Sequence, residues 1–417
     1  MDKFIIRGGQ PLNGDVFISG AKNAVLPIMA ATLITPGHFI LRNVPDLRDT
    51  RTMLKLLEII GARVDFSDGI MEIDSTTCNN PVAPYEVVKT MRASFDVLGP
   101  LSSRFRFAKV SLPGGCAWGP RPVDLHLKAL KALGTEVTLE GGYIVVKGAA
   151  SGAEINFELS SVGATKNALM AAVKAEGQTI IQNAAREPEI TSLIDFLNAL
   201  GADISGQGST RLCIKGVTEL KNELDFTIIP DRIEAGTFLI TNLLLGGEIR
   251  LHNVNPEHFA IVLTKLQEAG SRLEITADSI LSQGGPSIAP VNITTAPYPG
   301  FPTDLQAQWM ALMSRAGGDS IIIDEIYHDR FTHVAELNRL GAKIKLEQNV
   351  AVVEGVTQLT GAPVMSTDIR ASASLIIAGL AAAGETEVSR IYHIDRGYEK
   401  IETKLKNIGA DISRVRG

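Results

Sequence analysis

A single cysteine, Cys116, lies in a glycine- and proline-rich stretch at residues 111–126, with a cation, Arg121, five residues further on. The stretch runs into an apolar-periodic segment at residues 125–133, which predicts a helix. A thiol and a guanidinium on a flexible loop make a poor core element. They are typical of a lid that delivers a reactive group to an anion.

The alternative for any lone cysteine is an inert, buried side chain. We favour that interpretation for Cys78 and Cys213, whereas the loop and the nearby arginine favour function for Cys116. The three cysteines are far apart and form no C-x-x-C pair. This spacing indicates a reducing compartment, with neither a disulfide framework nor a zinc site.

Length, charge and motif spacing argue against several classes of function. The 417 residues suffice for two or three domains, and the net charge of −6 argues against non-specific nucleic-acid binding. The N-terminus has no apolar signal region, and the longest apolar runs are too short to insert in a membrane, so we expect a cytoplasmic protein. The histidines have no ligand spacing, and no Walker-type or Gly-x-Gly-x-x-Gly loop occurs, so we expect no metal.

A sixfold internal repeat organises the chain. A helical pattern that ends in glycine and continues into a strand recurs at Gly61, Gly134, Gly201, Gly270, Gly341 and Gly409. Glycine is expected just past a helix C-terminus, where the backbone becomes left-handed. A second, small and apolar helix precedes each of these helices. The unit of about 70 residues is too long for a solenoid repeat and suits a small α/β subdomain.

Six such units suit two domains of three units each better than one continuous core. We place the N-terminal domain at residues 22–229, and the C-terminal domain at residues 1–21 plus 230–417. Residues 1–21 contain two strand candidates, 4–6 and 16–18. We expect both strands to pair with the last unit and to close the C-terminal domain.

Polar or charged residues stand just before the upstream helix of every unit. Helix N-termini attract anions through unpaired N–H groups and the macrodipole. These residues, together with arginines from the cysteine loop and the C-terminal segment, predict a cationic cleft for phosphates or carboxylates. Its cations would be Lys22, Arg92, Arg121, Arg370 and Arg396.

Two carboxylates, Asp304 and Asp368, are embedded among these cations and are candidates for a base or an orienting group. The alternative is a helix cap or a solvated side chain, and it is stronger for Asp368 than for Asp304. The segment 390–396 has an alternative too, as an exposed ion-pair face.

Seven motifs occur together and in order along the chain. They are Gly20-Ala-Lys-Asn-Ala24, Lys89-Thr-Met-Arg-Ala-Ser94, Pro113-Gly-Gly-Cys-Ala117 with Arg121-Pro-Val-Asp-Leu-His126, Ser161-Val-Gly-Ala-Thr165, Pro299-Gly-Phe-Pro-Thr-Asp304, Thr367-Asp-Ile-Arg-Ala-Ser-Ala-Ser374 and Ile391-Tyr-His-Ile-Asp-Arg-Gly-Tyr398. With them the chain closely resembles the UDP-N-acetylglucosamine 1-carboxyvinyltransferases, a family of enolpyruvyl transferases, over essentially its whole length. The resemblance implies a two-domain inverted α/β barrel of six βαβαββ repeats, three per domain, with the active site in the interdomain cleft.

The resemblance also implies an activity. These enzymes transfer enolpyruvyl from phosphoenolpyruvate to the 3-hydroxyl of UDP-N-acetylglucosamine and release phosphate, the first committed step of peptidoglycan biosynthesis. The expected partners are therefore these two substrates, with no cofactor, no metal and no nucleic acid. We expect a monomer.

Residue roles follow from the same resemblance, motif by motif. Cys116 would be the general acid that protonates the vinyl methylene, able also to form a covalent adduct with phosphoenolpyruvate. Asp304 would take the sugar hydroxyl proton, with Asp368 and Arg370 in support. Phosphoenolpyruvate would be held by Lys22, Arg121 and Arg396. The nucleotide sugar would be held by Asn23, Arg92, Arg121, Pro122, Val123, Asp124, Leu125, Ser161, Val162, Gly163, Asp304, Ile326 and Arg330.

The chain departs from the family pattern at three positions. Leu159 stands where some members have lysine, which puts one contact to the nucleotide diphosphate in question, and Trp118 and Pro120 replace smaller residues in the loop.

Two alternative functions compete with this activity. The same-fold 5-enolpyruvylshikimate-3-phosphate synthases lack this cysteine loop, and the intact set of chemistry-bearing residues argues against a non-catalytic UDP-sugar sensor.

Overall fold

The computed structural model describes residues 2–112, 123–285 and 287–416. The chain divides into two compact units, which we call the N-terminal unit (residues 20–229) and the C-terminal unit (residues 1–19 with 230–417). Each unit has its own hydrophobic core of buried aliphatic and aromatic side chains.

The described residues of the N-terminal unit form three four-stranded sheets with one shared topology. In each sheet an edge strand pairs in parallel with its neighbour, and the remaining pairs are antiparallel. In strand order the sheets are β14 (Glu223–Thr227), β3 (His38–Arg42), β5 (Ile70–Asp74) and β4 (Arg63–Ser67); β6 (Val82–Ala83), β7 (Phe107–Ser111), β9 (Tyr143–Lys147) and β8 (Glu136–Glu140); and β10 (Glu154–Asn156), β11 (Gln178–Gln182), β13 (Arg211–Lys215) and β12 (Asp203–Ser205).

The C-terminal unit repeats this topology in three further sheets of its described residues. They are β2 (Leu12–Phe17), β15 (Gly247–His252), β17 (Ser279–Gln283) and β16 (Arg272–Ile275); β18 (Ile293–Thr295), β19 (Ser320–Asp324), β21 (Val350–Glu354) and β20 (Lys343–Glu347); and β23 (Pro363–Met365), β25 (Glu385–Ser389), β1 (Lys3–Arg7) and β26 (Asp411–Val415). A short parallel pair, β22 (Leu359–Thr360) with β24 (Ala382–Ala383), accompanies them.

Two kinds of helix alternate along the chain. The upstream helices are built from small and apolar residues and are buried nearly all round, which places them in the core, whereas the downstream helices keep one polar face. The helices are α1 (Lys22–Ala31), α2 (Arg48–Ile60), α3 (Tyr85–Val88), α4 (Leu98–Phe105), α5 (Asp124–Ala132), α6 (Val162–Ala172), α7 (Pro188–Ala199), α8 (Arg232–Leu245), α9 (Ala260–Glu268), α10 (Gln306–Met313), α11 (His333–Arg339), α12 (Ile369–Ala381) and α13 (Ile401–Asn407). Short 3-10 helices span Arg92–Val97, Pro256–Phe259, Thr303–Leu305 and Ile391–Arg396. Within the described ranges, no helix combines the length and apolarity needed to cross a membrane.

The predicted helix-ending glycines are confirmed in all six repeats. Gly61, Gly134, Gly201, Gly270, Gly341 and Gly409 have φ between 81° and 113°. Each stands at or just after the end of a downstream helix, at a backbone conformation that costs least for a residue without a Cβ. The fold is therefore the predicted array of six βαβαββ repeats.

The prediction for the N-terminal strands is right for β1 and wrong for β2. β1 lies between β25 and β26 in the last repeat, whereas β2 pairs in parallel with β15 of the fourth repeat, from Leu12↔Gly247 to Phe17↔His252. The reason is an exchange of edge strands. β14, which precedes α8 and β15 in the chain, pairs with β3, so the parallel edge beside β15 is filled by β2.

Candidate active site

Several predicted residues of the N-terminal unit lie where its upstream helices begin. Lys22 is the first residue of α1, and Arg92 opens the 3-10 helix that leads into α4. Ser161 caps α6, since its hydroxyl accepts a hydrogen bond from the N–H of Ala164 at 3.3 Å. Val162 and Gly163 then form the first turn of α6. The repeat thus places these side chains at equivalent positions.

Lys22 is half of a buried ion pair. Its Nζ lies 2.7 Å from Oδ2 of Asp49, and the two side chains are 11% and 4% exposed. Asp49 belongs to the first turn of α2, where an acidic residue is expected in any case. For that reason its pairing with Lys22 could not be predicted from the sequence.

A second buried pair links the starts of two neighbouring helices. Lys166 Nζ of α6 lies 2.6 Å from Oδ2 of Asp96, in the same 3-10 helix as Arg92. The next residue, Asn167, accepts a hydrogen bond from the N–H of Gly99 at 2.7 Å through its Oδ1. These contacts hold the helix N-termini of the second and third repeats side by side.

His126 completes this cluster as a buried, neutral ring. Burial, with Arg92 and Lys166 close by, lowers the pKa of His126 to about 3. Its Nδ1 is 3.0 Å from Nδ2 of Asn167, so the amide donates and the ring nitrogen accepts. A Cβ on Gly163 would lie 2.9 Å from Nε2 of His126, which explains the glycine at this position.

Three of the predicted residues, Cys116, Arg121 and Pro122, lie outside the described residues. Val123, Asp124 and Leu125 occupy the start of α5, and Asp124 is exposed in its first turn. Asn23 follows Lys22 in α1 and is half-buried.

Of the other two cysteines, Cys78 has the surroundings of an inert, buried thiol, whereas Cys213 is only half-buried. Burial raises the pKa of the Cys78 thiol, and the nearby Arg104 only partly offsets this effect. Cys213 is half-buried, and its Sγ lies 2.6 Å from Nε2 of Gln178. A protonated, buried thiol is a weak nucleophile, which agrees with the interpretation of Cys78 from the sequence.

In the C-terminal unit, Asp304 lies between two arginines. Its Oδ1 is 2.8 Å from Nη1 of Arg330, and its Oδ2 is 2.7 Å from Nη2 of Arg370. Burial by itself would raise the pKa of Asp304, but the two guanidinium groups outweigh burial and hold the pKa well below the ordinary value. Asp304 is therefore an ionised carboxylate at neutral pH, at the start of the helix pair Thr303–Leu305 and α10.

Asp368 is a helix cap in the structure. Its Oδ1 accepts hydrogen bonds from the N–H of Arg370 at 2.8 Å and of Ala371 at 3.2 Å, at the start of α12. This is the alternative that the sequence left open for Asp368. The cap places Arg370 in the first turn of α12, facing Asp304.

Asp324 holds together the segments that carry Ile326 and Arg330. It accepts hydrogen bonds from Thr303 Oγ1 at 2.7 Å and from the N–H of Ile326 at 3.0 Å. Thr303 in turn accepts a hydrogen bond from Nη1 of Arg330 at 3.1 Å. The Ile326 side chain is exposed, and Arg396 ends the 3-10 helix Ile391–Arg396 half-buried.

A buried polar cluster behind Arg370 was missed by sequence reasoning. Nη1 of Arg370 lies 3.3 Å from the hydroxyl of Tyr398, which also contacts Thr237 Oγ1 at 2.9 Å and Gln308 Nε2 at 3.1 Å. Tyr398 closes one of the seven motifs, but a tyrosine in an apolar segment gives no sign of these partners.

Chemically, the two units offer different groups. The described residues of the N-terminal unit present lysines and an arginine at helix N-termini, which suit anions. Those of the C-terminal unit present a fixed, ionised carboxylate that suits a hydroxyl donor. Across the described ranges no group of three His, Cys, Asp or Glu side chains is placed to hold a metal ion.

Comparisons with known proteins agree with this reading. The model of the EPSP synthase (3-phosphoshikimate 1-carboxyvinyltransferase) family matches residues 6–405. UDP-N-acetylglucosamine 1-carboxyvinyltransferase of Chlorobaculum parvum is 54% identical over 99% of this chain and 98% of its own, and that of Geobacter metallireducens is 53% identical over 100% of both. The crystal structure of the enolpyruvyl transferase NikO from Streptomyces tendae superposes with a TM-score of 0.91 at 25% identity, covering 100% of this chain and 99% of that one.

The fold is thus that of the two-domain enolpyruvyl transferases, as predicted. The chain belongs to this family of carboxyvinyltransferases and, within it, to the UDP-N-acetylglucosamine 1-carboxyvinyltransferases.

Proposed function

We propose that this protein transfers the enolpyruvyl group of phosphoenolpyruvate to the 3-hydroxyl of UDP-N-acetylglucosamine and releases phosphate, opening peptidoglycan synthesis in the cytoplasm. The observation that carries the proposal is the full-length similarity to relatives named for this transfer, at 54% and 53% identity. The position of Asp304 and of the lysines and arginine at helix N-termini supports it independently.

The reaction makes one C–O bond and breaks another. The sugar 3-oxygen bonds to C2 of phosphoenolpyruvate while the methylene carbon takes a proton from Cys116, and the hydroxyl proton passes to Asp304. The C2–O bond to phosphate then breaks, the leaving phosphate takes up the proton held by Asp304, and the new methyl group returns one proton to the Cys116 thiolate. The products are the enol ether and inorganic phosphate.

Asp304 suits the role of a late proton acceptor. A carboxylate with a depressed pKa binds a proton weakly, so it is a poor base for a free hydroxyl. The hydroxyl becomes far more acidic once its oxygen bonds to the cationic C2 centre. Asp304 would therefore orient the sugar hydroxyl first and accept its proton only as that bond forms.

The cations would hold the two anionic substrates. Lys22 and Arg396, with Arg121 of the cysteine loop, would contact phosphoenolpyruvate, while Arg92 and the first turn of α6 would contact the nucleotide sugar. Pairing with Asp49 keeps Lys22 charged and pointed in one direction until an anion arrives.

The test is phosphate release from phosphoenolpyruvate, with and without UDP-N-acetylglucosamine. We expect release only with the nucleotide sugar, together with one enol ether per phosphate by mass spectrometry. Release with shikimate 3-phosphate as the only acceptor would overturn the proposal in favour of the activity named in the family description. Binding of UDP-N-acetylglucosamine without any turnover would instead favour a sugar sensor.

A further inference from the structure

The buried hydroxyl of Tyr398 joins three helices that begin at the candidate site. Thr237 belongs to α8, Gln308 to α10 and Arg370 to α12, so each of the three repeats of the C-terminal unit contributes one partner. Tyr398 is only 2% exposed and all three partners are buried.

The proton of each hydrogen bond can be assigned. Thr237 donates its hydroxyl proton to the carbonyl of Ile233 at 2.7 Å, so between Thr237 and Tyr398 it must accept. Tyr398 is therefore the donor to Thr237. The amide of Gln308 donates to the carbonyl of Asp304 at 3.0 Å, which fixes its NH₂ group towards this cluster.

Because Tyr398 donates its hydroxyl proton to Thr237, its oxygen can only accept the remaining hydrogen bonds. It receives Nη1 of Arg370 at 3.3 Å and Nε2 of Gln308 at 3.1 Å. The ring also stacks beside the guanidinium, whose carbon lies 5.6 Å from the ring centroid. Nη2 of Arg370, the other terminal nitrogen, is the one that binds Asp304 at 2.7 Å.

The backbone holds Tyr398 in this place. The N–H of Tyr398 donates to the carbonyl of Ile394 at 3.0 Å, an α-type bond that closes the end of the 3-10 helix Ile391–Arg396. A Cβ on the preceding Gly397 would lie 2.6 Å from Cγ2 of Ile369, at the start of α12. Gly397 thus permits the close approach that brings the tyrosine to Arg370.

We propose that Tyr398 is a positioning residue: by accepting from one terminal nitrogen of Arg370, it orients the other onto Asp304, the acceptor of the sugar hydroxyl proton. This role rests on the proposed function for its catalytic consequence but not for its structural content. The charged groups that face the cluster are Asp304, Arg330 and Arg370, with Asp231 acting on both Arg370 and Tyr398.

The test is Tyr398→Phe, which keeps the ring and removes the hydroxyl. We expect kcat to fall roughly tenfold, because a less firmly oriented Arg370 removes part of the rate contribution of a positioned proton acceptor. KM for the nucleotide sugar should change less than about threefold. The acid limb of kcat should move to higher pH, because a less firmly held Arg370 stabilises the Asp304 carboxylate less. Tyr143→Phe, which removes a hydroxyl in the other unit that contacts the N–H of Tyr85 at 3.3 Å, is the matched control and should change neither quantity.

A second readout does not depend on turnover. The ¹³C signal of the Asp304 carboxyl, assigned through its loss in Asp304→Asn, should be constant from pH 8 to pH 4 in the unaltered protein and should begin to shift within that range in Tyr398→Phe. Thr237→Val, which takes away the acceptor of the tyrosine proton, should have the same effect to a smaller degree and serves if Tyr398→Phe does not fold. Unchanged signals in folded Tyr398→Phe or Thr237→Val would overturn the proposal, whatever reaction the enzyme catalyses.

Discussion

The two units are built from the same repeat but stabilise the charges of their candidate site residues in different ways. Among the described residues of the N-terminal unit, buried lysines pair one to one with aspartates, Lys22 with Asp49 and Lys166 with Asp96. At the candidate site of the C-terminal unit one carboxylate, Asp304, is instead shared by two arginines, although elsewhere in that unit Lys404 pairs one to one with the buried Glu234.

This difference follows from the chemistry of the cations. A lysine ammonium is a point charge on a flexible stem, which can turn from an internal carboxylate to an incoming anion. An arginine fork fixes direction as well as charge, and two of them hold Asp304 from both sides. One scaffold thus holds lysine ammonium groups at helix N-termini in the first unit and a carboxylate fixed from two sides in the second.

The largest effect should come from modifying the thiol of Cys116. All three cysteines belong to the sequence of the N-terminal unit, so Cys78 and Cys213 serve as internal controls. An epoxide phosphonate such as fosfomycin should alkylate Cys116 and abolish activity, because cations would hold the phosphonate beside a reactive thiolate. Mass spectrometry of the digested protein is the measurement. Adducts on Cys78 or Cys213, or none at all, would contradict the assignment.

The next largest effect should come from the rigid carboxylate. Asp304→Asn should lower kcat by roughly 10²- to 10⁴-fold, the usual contribution of a positioned proton acceptor, as measured by phosphate release. Asp225→Asn is the control, since Asp225 also binds an arginine, Arg42, through both oxygens but on the surface. If both variants lost activity equally, Asp304 would be acting through stability alone.

A double-mutant cycle tests whether the lysine pairs of the first unit are structural. Lys166→Met should lower the free energy of unfolding by about 3–5 kcal/mol, because it leaves Asp96 buried without its cation. The double variant Lys166→Met with Asp96→Leu should recover most of that loss in urea unfolding. An additive double variant would mean that the two side chains do not interact.

The smallest effect should be a pH dependence in the N-terminal unit. The pKa of His126 is about 3 in the folded chain and about 6.5 when unfolded, so the unfolded state binds the extra proton between these values. Stability from neutral His126 is therefore complete above pH ~6.5 and declines as the pH falls, by ~3 kcal/mol at pH 4.5. Urea unfolding of the unaltered protein and of His126→Gln at a series of pH values should show this difference in slope.

The backbone conformation at helix ends could be predicted from the sequence. The six glycines could be predicted because a helix end with positive φ favours one residue type. The helix N-termini could be predicted because polar residues break an apolar periodicity at the same place in every repeat. These features depend on neighbours in the chain.

The contacts between residues distant in sequence could not be predicted from the sequence. Nothing in the local sequence distinguishes Asp49, which pairs with Lys22, from any acidic residue in a first helical turn. The strand β2 carries an alternating pattern that predicts a strand but not its neighbour, and its pairing with β15 was therefore missed. Tyr398 gave no sign because its three partners come from three different repeats.

The position of β1 in the last sheet of the C-terminal unit has a consequence for biosynthesis. All the strands of residues 20–229 belong to one continuous segment, so this unit can be completed as soon as β14 has been made. β1 emerges first but needs partners such as the strand of Glu387, which lies 384 residues beyond Lys3. At 5–20 residues per second that wait is roughly 20–80 s, and during it both edges of β1 are open to other chains or to chaperones.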